Sequence, residues 1–452
     1  MRKESGKDLT SGSPFGLILG FALPMLLGLL FQQFYNMVDT MVVGQCLGVT
    51  SLAAVGSTGS ISFLVIGFCM GICNGFAIPV AQKFGAGDQV ELRKFVANSL
   101  WLVAIIALVL TVPVCVYCRP ILRVMNTPED VFEYAYQYIF IIFLGIPAAL
   151  LYNILAAILR SLGDSKTPVL FLALSSVLNI GLDIISIKLW GMGVDGTALA
   201  TVISQGVSGV ICFFYMKKRF TVLQMSREER RPDRAKMKRL CYMGIPMGLQ
   251  YSITAIGSLV IQATMNGFGS VAVAGATAAN RINGFLTCPI EALGASMAPY
   301  VGQNLGAGKL DRVSRGVIDA SLCGFVSSGV LYVIIWLYGA QLTGIFLDAP
   351  DPAVTAYAVE FLRIVGAGYC LLTLVNVVRF SIQGLGFSVL AILSGVMEMI
   401  ARCFAGLVIA PHIGFAAVAM GHPLAWLFAD IFLIPAFLLC RKKVASPHHG
   451  EY

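Results

Sequence analysis

Twelve times along its 452 residues this chain runs through about twenty or more consecutive residues that are almost all apolar. The runs lie near 15–43, 51–82, 95–118, 131–155, 167–189, 194–216, 240–266, 272–303, 317–339, 354–377, 388–410 and 415–440. A helix needs about 20 residues to cross a hydrocarbon layer of about 30 Å, and each run supplies that length. A membrane β-barrel would instead read as alternating segments of about ten residues. The pattern therefore predicts an all-α integral membrane protein with twelve transmembrane helices. Composition agrees, with 58% of residues hydrophobic and 12% charged. The basic start "MRKESGKDLTSGSPFGLILGF" reads as the flank of a retained first helix, because the apolar stretch is too long for a signal peptide and no A-x-A-like site follows.

The net charge of +8 could suggest a nucleic-acid partner, so the placement of the basic residues has to decide. With the N-terminus in the cytoplasm, 25 of the 31 Lys and Arg fall in the tails and cytoplasmic turns, Arg379 counted among them. Ten crowd into 217–239, "MKKRFTVLQMSREERRPDRAKMKR". This asymmetry places both termini in the cytoplasm. Interleaved acids and the lack of stacking aromatics make the loop a topology determinant and lipid-headgroup contact, with no nucleic-acid role. The twelve cysteines lie within or close to the apolar runs with no histidine close by, so they read as small core residues and form neither disulfides nor a zinc site.

The basic loop divides the chain into a lobe at 1–216, the loop itself at 217–239 and a lobe at 240–452. The lobes resemble one another. "AQKFGAG" ends at Gly87 and "GQNLGAG" at Gly308, 221 positions on; "LRSLGD" at 159–164 answers "IQGLGF" at 382–387, 223 positions on; Pro24 answers Pro246. Because six helices is an even number, the two bundles would be related by a pseudo-two-fold axis along the membrane normal, as in secondary transporters with parallel repeats.

Acids inside such helices are expensive. An Asp at the bilayer centre costs about 2.5–3.5 kcal/mol on insertion scales, so each one is a functional candidate by default. Gln32, Tyr35, Asn36 and Asp39 follow an i, i+3, i+4, i+7 spacing and share a face of the first helix. Ser175, Asn179 and Asp183 share one on the fifth, and Thr201, Ser204, Gln205 and Ser208 share one on the sixth. Counted at 1.5 Å per residue from the helix ends, Asp39, Asp183 and Thr201 lie at one depth, about 7–9 Å inside the outer boundary. An oxygen-rich cluster of Asp39, Asn179, Asp183 and Thr201 suits a hard cation such as Na⁺, or a shared proton; the alternative is hydrogen-bonded helix bridging alone.

The second half is no copy in this respect. Glu398 and Arg402 stand at i, i+4 and should contact one another, Arg281 and Glu291 could join them, and either a structural or a cavity-lining role is open. Asp430 is a lone acid whose partner the sequence does not name.

The "VDTMVVGQCLG" end of helix one, both GAG turns, "ILRSLGDSKTP", "NIGLDIISI" and the 6+6 layout together resemble the multidrug and toxic compound extrusion (MATE) transporters, closest to their bacterial MepA-like and DinF-like branches. The resemblance implies export of amphipathic, often cationic, organic compounds by antiport with Na⁺ or H⁺, and no enzyme activity. It implies a coupling site at Asp39, Asn179, Asp183 and Thr201 and a hinge at Pro24. A substrate cavity would be lined by Gln32, Tyr35, Asn36, Ser204, Gln205, Gln250, Thr254 and Arg402. The helix-seven and helix-ten coupling acids of the NorM-like branch are missing: "MGLQYSITAIGSL" has no acid, and helix ten offers only Glu360.

The rival within the superfamily is a lipid-linked oligosaccharide flippase, which would need an Arg- and Lys-rich cavity where only Arg281 and Arg402 qualify. An intramembrane enzyme is disfavoured because His412 and His422 read as lying near an outer loop and His448 and His449 lie in the tail. A channel would need a repeated selectivity element, which two halves of unlike charge do not offer. The expected protein is a monomeric inner-membrane transporter whose partners are a small organic substrate, a coupling cation and the bilayer, with no cofactor.

Overall fold

The computed structural model describes residues 6–125, 127–346 and 351–446; His448 and His449 lie outside the described residues. The described chain is almost wholly helical and forms no β-strand. Among the described residues nine helices are long and apolar enough to cross a membrane, from Pro14–Leu47 to Phe415–Ala445. Two further crossings are bent pairs: Glu129–Leu144 with Ile146–Ser161 turns by 47°, and Pro352–Ala367 with Tyr369–Gly384 by 49°. The run at 272–303 forms Ser270–Leu286 and Cys288–Gly306, and Asn280, Arg281, Asn283 and Glu291 lower its hydropathy. This gives twelve successions, six before and six after the basic loop.

Local chemistry sets the breaks. Asp88 accepts the Glu91 amide at 3.1 Å and opens Gln89–Val116; Asp164 accepts the amides of Lys166 and Thr167 at 3.0 Å and opens Lys166–Lys188. Gly87 and Gly308 adopt φ of 73° and 72°, and Gly163 and Gly386 adopt 81° and 94°, so turns that need a left-handed residue recur at the sequence offsets of 221 and 223. The duplication is thus written in backbone geometry as well as in residue identity.

The chain forms two compact units. One comprises Leu27–Gly248 with the segment up to Asp8, the other Leu9–Leu26 with Leu249–Tyr452. These limits divide the chain differently from the lobes read at the basic loop, because the first and seventh helices each begin in one unit and continue into the other. Pro24 and Pro246 lie two residues before those crossing points, inside helices that run on unbroken through them.

The first unit is built on Ile72, Phe76, Phe143, Leu150 and Leu159, all buried. Its tightest seam is glycine on glycine. A Cβ on Gly75 would stand 2.5 Å from the Gly244 Cα, and one on Gly71 would stand 2.5 Å from the Met247 carbonyl oxygen, so Gly71-x-x-x-Gly75 meets Gly244-x-x-x-Gly248 backbone to backbone. The second unit packs around Tyr300, Phe361, Tyr369 and Val377. Leu108, Val109, Val116, Leu170, Val177, Leu438 and Leu439 are exposed, the arrangement expected when hydrocarbon is the solvent. All twelve cysteines are free, including Cys115 and Cys118, whose Cys-x-x-Cys spacing is a redox pattern in other settings.

Candidate cation-coupling site

The polar stripes of the first, fifth and sixth helices meet inside the first unit. Each stripe is too polar for lipid, so the three faces turn toward one another. Asn179 and Asp183 are fully buried on Lys166–Lys188, while Asp39 and Thr201 are half-buried. Asn179 donates to the Thr201 hydroxyl at 3.2 Å, and the Tyr35 and Thr201 hydroxyls lie 3.3 Å apart. Thr201 in turn donates to the Thr197 carbonyl at 3.1 Å. The carboxyl groups of Asp39 and Asp183 stand close enough for each to act on the other.

The arrangement brings together two carboxyls, an amide and two hydroxyls, a set of oxygen donors with neither thiolate nor imidazole. Such a set suits a proton or a hard alkali cation. Two carboxylates in contact repel, and a shared proton or a bound cation removes the repulsion.

Tyr138, from Glu129–Leu144, stands within electrostatic reach of Asp39, Tyr35 and Asp183 and belongs to this cluster. Sequence reading passed over it, because one tyrosine within "EYAYQYIFIIF" carries no mark of its own. Of the other expected cavity residues in this unit, Gln32 and Gln205 are half-buried and Asn36 is exposed. Ser204 is buried and donates to the Thr201 carbonyl of its own helix at 2.9 Å.

Gln250, Thr254 and Arg402 belong to the second unit. Gln383 donates to Gln250 at 3.0 Å, and Arg402 donates to the Thr254 carbonyl at 3.3 Å and to Glu398 at 3.4 Å. The i, i+4 contact read for Glu398 and Arg402 is present, but three details differ from the sequence reading. Arg379, counted among the cytoplasmic basic residues, is inside Tyr369–Gly384 and donates to Glu398 at 2.8 Å. Arg281 is exposed and forms no ion pair with this group among the described residues, whereas Glu291 accepts from Thr287 at 3.0 Å and feels Arg379. His422, read near an outer loop, packs between the rings of Phe361 and Trp426.

The MatE family profile matches residues 24–185 and 246–404, once in each half. The chain is 30% identical over 344 residues to the Bacillus subtilis protein named "Probable multidrug resistance protein YoeA", covering 75% of this chain and 74% of that one. It is 24% identical over 364 residues, 79% of each chain, to a protein of Shewanella oneidensis named "FAD transporter". A solved outward-facing multidrug resistance MATE family transporter of the MOP superfamily superposes with a TM-score of 0.89 at 23% identity, over 98% of this chain and 99% of that one. Profile, relatives and fold agree: this chain belongs to the MatE family and is a multi-pass membrane transporter, not an enzyme.

Proposed function

We propose that the protein exports amphipathic, cationic organic compounds by alternating access, in antiport with Na⁺ or H⁺ bound at Asp39, Asn179, Asp183 and Thr201. The observation that carries this reading is the convergence of Asp39 and Asp183 on one cluster closed by Asn179, Thr201 and Tyr35. Loss of a proton or cation sets two carboxylates against each other, and its return lets Tyr35 and Thr201 close the cluster. A ligand shifts a conformational equilibrium only by its differential affinity for the two states, and this pair supplies such a difference. Pro24, which leaves the Gly20 carbonyl without its helical donor, gives the first helix a place to bend. The name of the Bacillus relative supports export of drugs, and the distribution of Lys and Arg supports an inner-membrane protein with cytoplasmic termini.

The name of the Shewanella relative raises a second substrate, FAD. Arg379 and Arg402 are both engaged by Glu398, which leaves that pair committed rather than open to a diphosphate. The flippase alternative meets the same obstacle at Arg402.

The test is purified protein in vesicles loaded with ethidium, with a Na⁺ gradient and a pH gradient imposed separately. Efflux under at least one gradient is expected. Absence of efflux under both, in vesicles that instead move FAD, overturns the reading in favour of the second substrate.

A further inference from the structure

The second unit holds an acid that cation coupling in the first unit does not use. Glu398 accepts from Arg379 Nη1 at 2.8 Å and from Arg402 Nη2 at 3.4 Å. One buried carboxylate therefore holds two guanidinium groups, whose side chains are 13% and 6% exposed. Arg379 is steadied by Asn376 at 3.1 Å and Arg402 by the Thr254 carbonyl at 3.3 Å.

Asp430, on Phe415–Ala445, is 3% exposed, and neither of its carboxyl oxygens has a hydrogen-bond partner among the described residues. Its helix packs directly against Tyr369–Gly384 and Ser388–Phe404, the helices that carry Arg379 and Glu398, and those two opposite charges act on it. The other ionisable groups on the helix of Asp430 and on those packed against it are placed otherwise. His422, on the same helix, lies against the rings of Phe361 and Trp426, Arg402 is held by Glu398 and the Thr254 carbonyl, Arg363 stacks over Trp336 at 4.1 Å, and Glu360 and His412 are exposed. An ionised carboxylate buried with no donor costs several kcal/mol, so this pocket favours the neutral acid for as long as Arg379 stays on Glu398.

We propose that Asp430 is a proton-binding site separate from Asp39 and Asp183, and that its proton is governed by the position of the Arg379 guanidinium. While Arg379 bonds Glu398, Asp430 keeps its proton. When Arg379 swings to Asp430, the O–H bond breaks, its electron pair stays on the carboxylate and the proton passes to water. Glu398 is not stranded by this exchange, because Arg402 remains on it. A buried acid with one guanidinium could not release it without a large penalty, and the second guanidinium is what makes the swing affordable. The site rests on this geometry and not on the identity of the exported compound or of the ion bound in the first unit.

The test is pH-difference infrared spectroscopy of the full-length protein in lipid nanodiscs, reading the C=O stretch of protonated carboxyl groups. Asp430→Asn is expected to lose one carboxyl's worth of that band at neutral pH, a loss that Asp39→Asn and Asp183→Asn do not reproduce at the same frequency. Glu398→Gln, which frees Arg379 for Asp430, is expected to lose the same band with Asp430 intact. Should Asp430→Asn fail to fold, Glu398→Gln decides alone. Persistence of the full wild-type band in whichever variant is recovered overturns the proposal, and efflux activity has no part in the reading.

Discussion

Asn179 Nδ2 reaches the Thr201 hydroxyl across 3.2 Å, tying the fifth helix to the sixth one turn from Asp183. That hydroxyl also meets Tyr35, so a single oxygen joins three helices. Thr201→Val keeps the side-chain shape and removes both links. We expect it to lower stability by about 1 kcal/mol and to weaken the protection that Na⁺ or low pH gives against heating, while Thr201→Ser keeps both properties. Thermal unfolding of the two variants with and without Na⁺ checks this, and equal cation protection in Thr201→Val would count against a shared site.

Asp39→Asn and Asp183→Asn, made singly, imitate the neutral form of each acid. Both should be recovered folded, and gradient-driven ethidium efflux should fall by about 5–150-fold, the range of ordinary coupling energies. Normal efflux in both would sink the coupling role. Loss of folded protein in both would favour simple helix bridging.

Gly71 and Gly75 leave no room for side chains where the second helix meets the start of the seventh. Gly75→Leu should push those backbones apart at a cost above the usual 1–3 kcal/mol or so of overpacking, because the obstructing atoms are main chain. The readout is the fraction of monodisperse protein after extraction, compared with Gly56→Leu, where a Cβ meets nothing within 4 Å. Similar yields for the two would contradict the seam.

The basic loop is pinned by Arg93, which lies 2.8 Å from Glu229, and by the Ser226 amide, which donates to Glu229 at 2.7 Å. The Arg93 guanidinium is the largest influence and holds the Glu229 carboxyl below its ordinary value of 4.5. A depressed acid stabilises the docked loop above 4.5, and that contribution is lost as pH falls through the lower, docked-state value. Protection of the amides in 224–233, taken relative to their intrinsic exchange rate at each pH, should therefore fall below pH 4.5 in wild type, and in Glu229→Gln it should be low already at neutral pH. Protection in wild type that does not change with pH would refute the pinning.

The meeting of the first unit's polar faces was legible because acids and amides stand out against apolar helices, and helical spacing says which of them share a face. Asp39, Asn179, Asp183 and Thr201 were readable for that reason, as was the Glu398–Arg402 pair. Tyr138 was not, since an aromatic among aromatics gives no contrast. Arg379 was misplaced because a basic residue near the end of an apolar run looks like a loop residue unless its acid, 19 positions away, is known. The bends after Leu144 and Ala367 fall at Gly145 and Gly368, inside stretches that read as single spans.

Residues 234–248 complete the first unit, and residues 9–26 are built into the second. A ribosome that has finished the first six helices has therefore not finished the first unit: Gly71 and Gly75 wait with bare backbone until Gly244 and Gly248 emerge. The opening turns of the first helix, made earliest of all, must wait longer still for their permanent neighbours. Neither half could be cut away and stand alone.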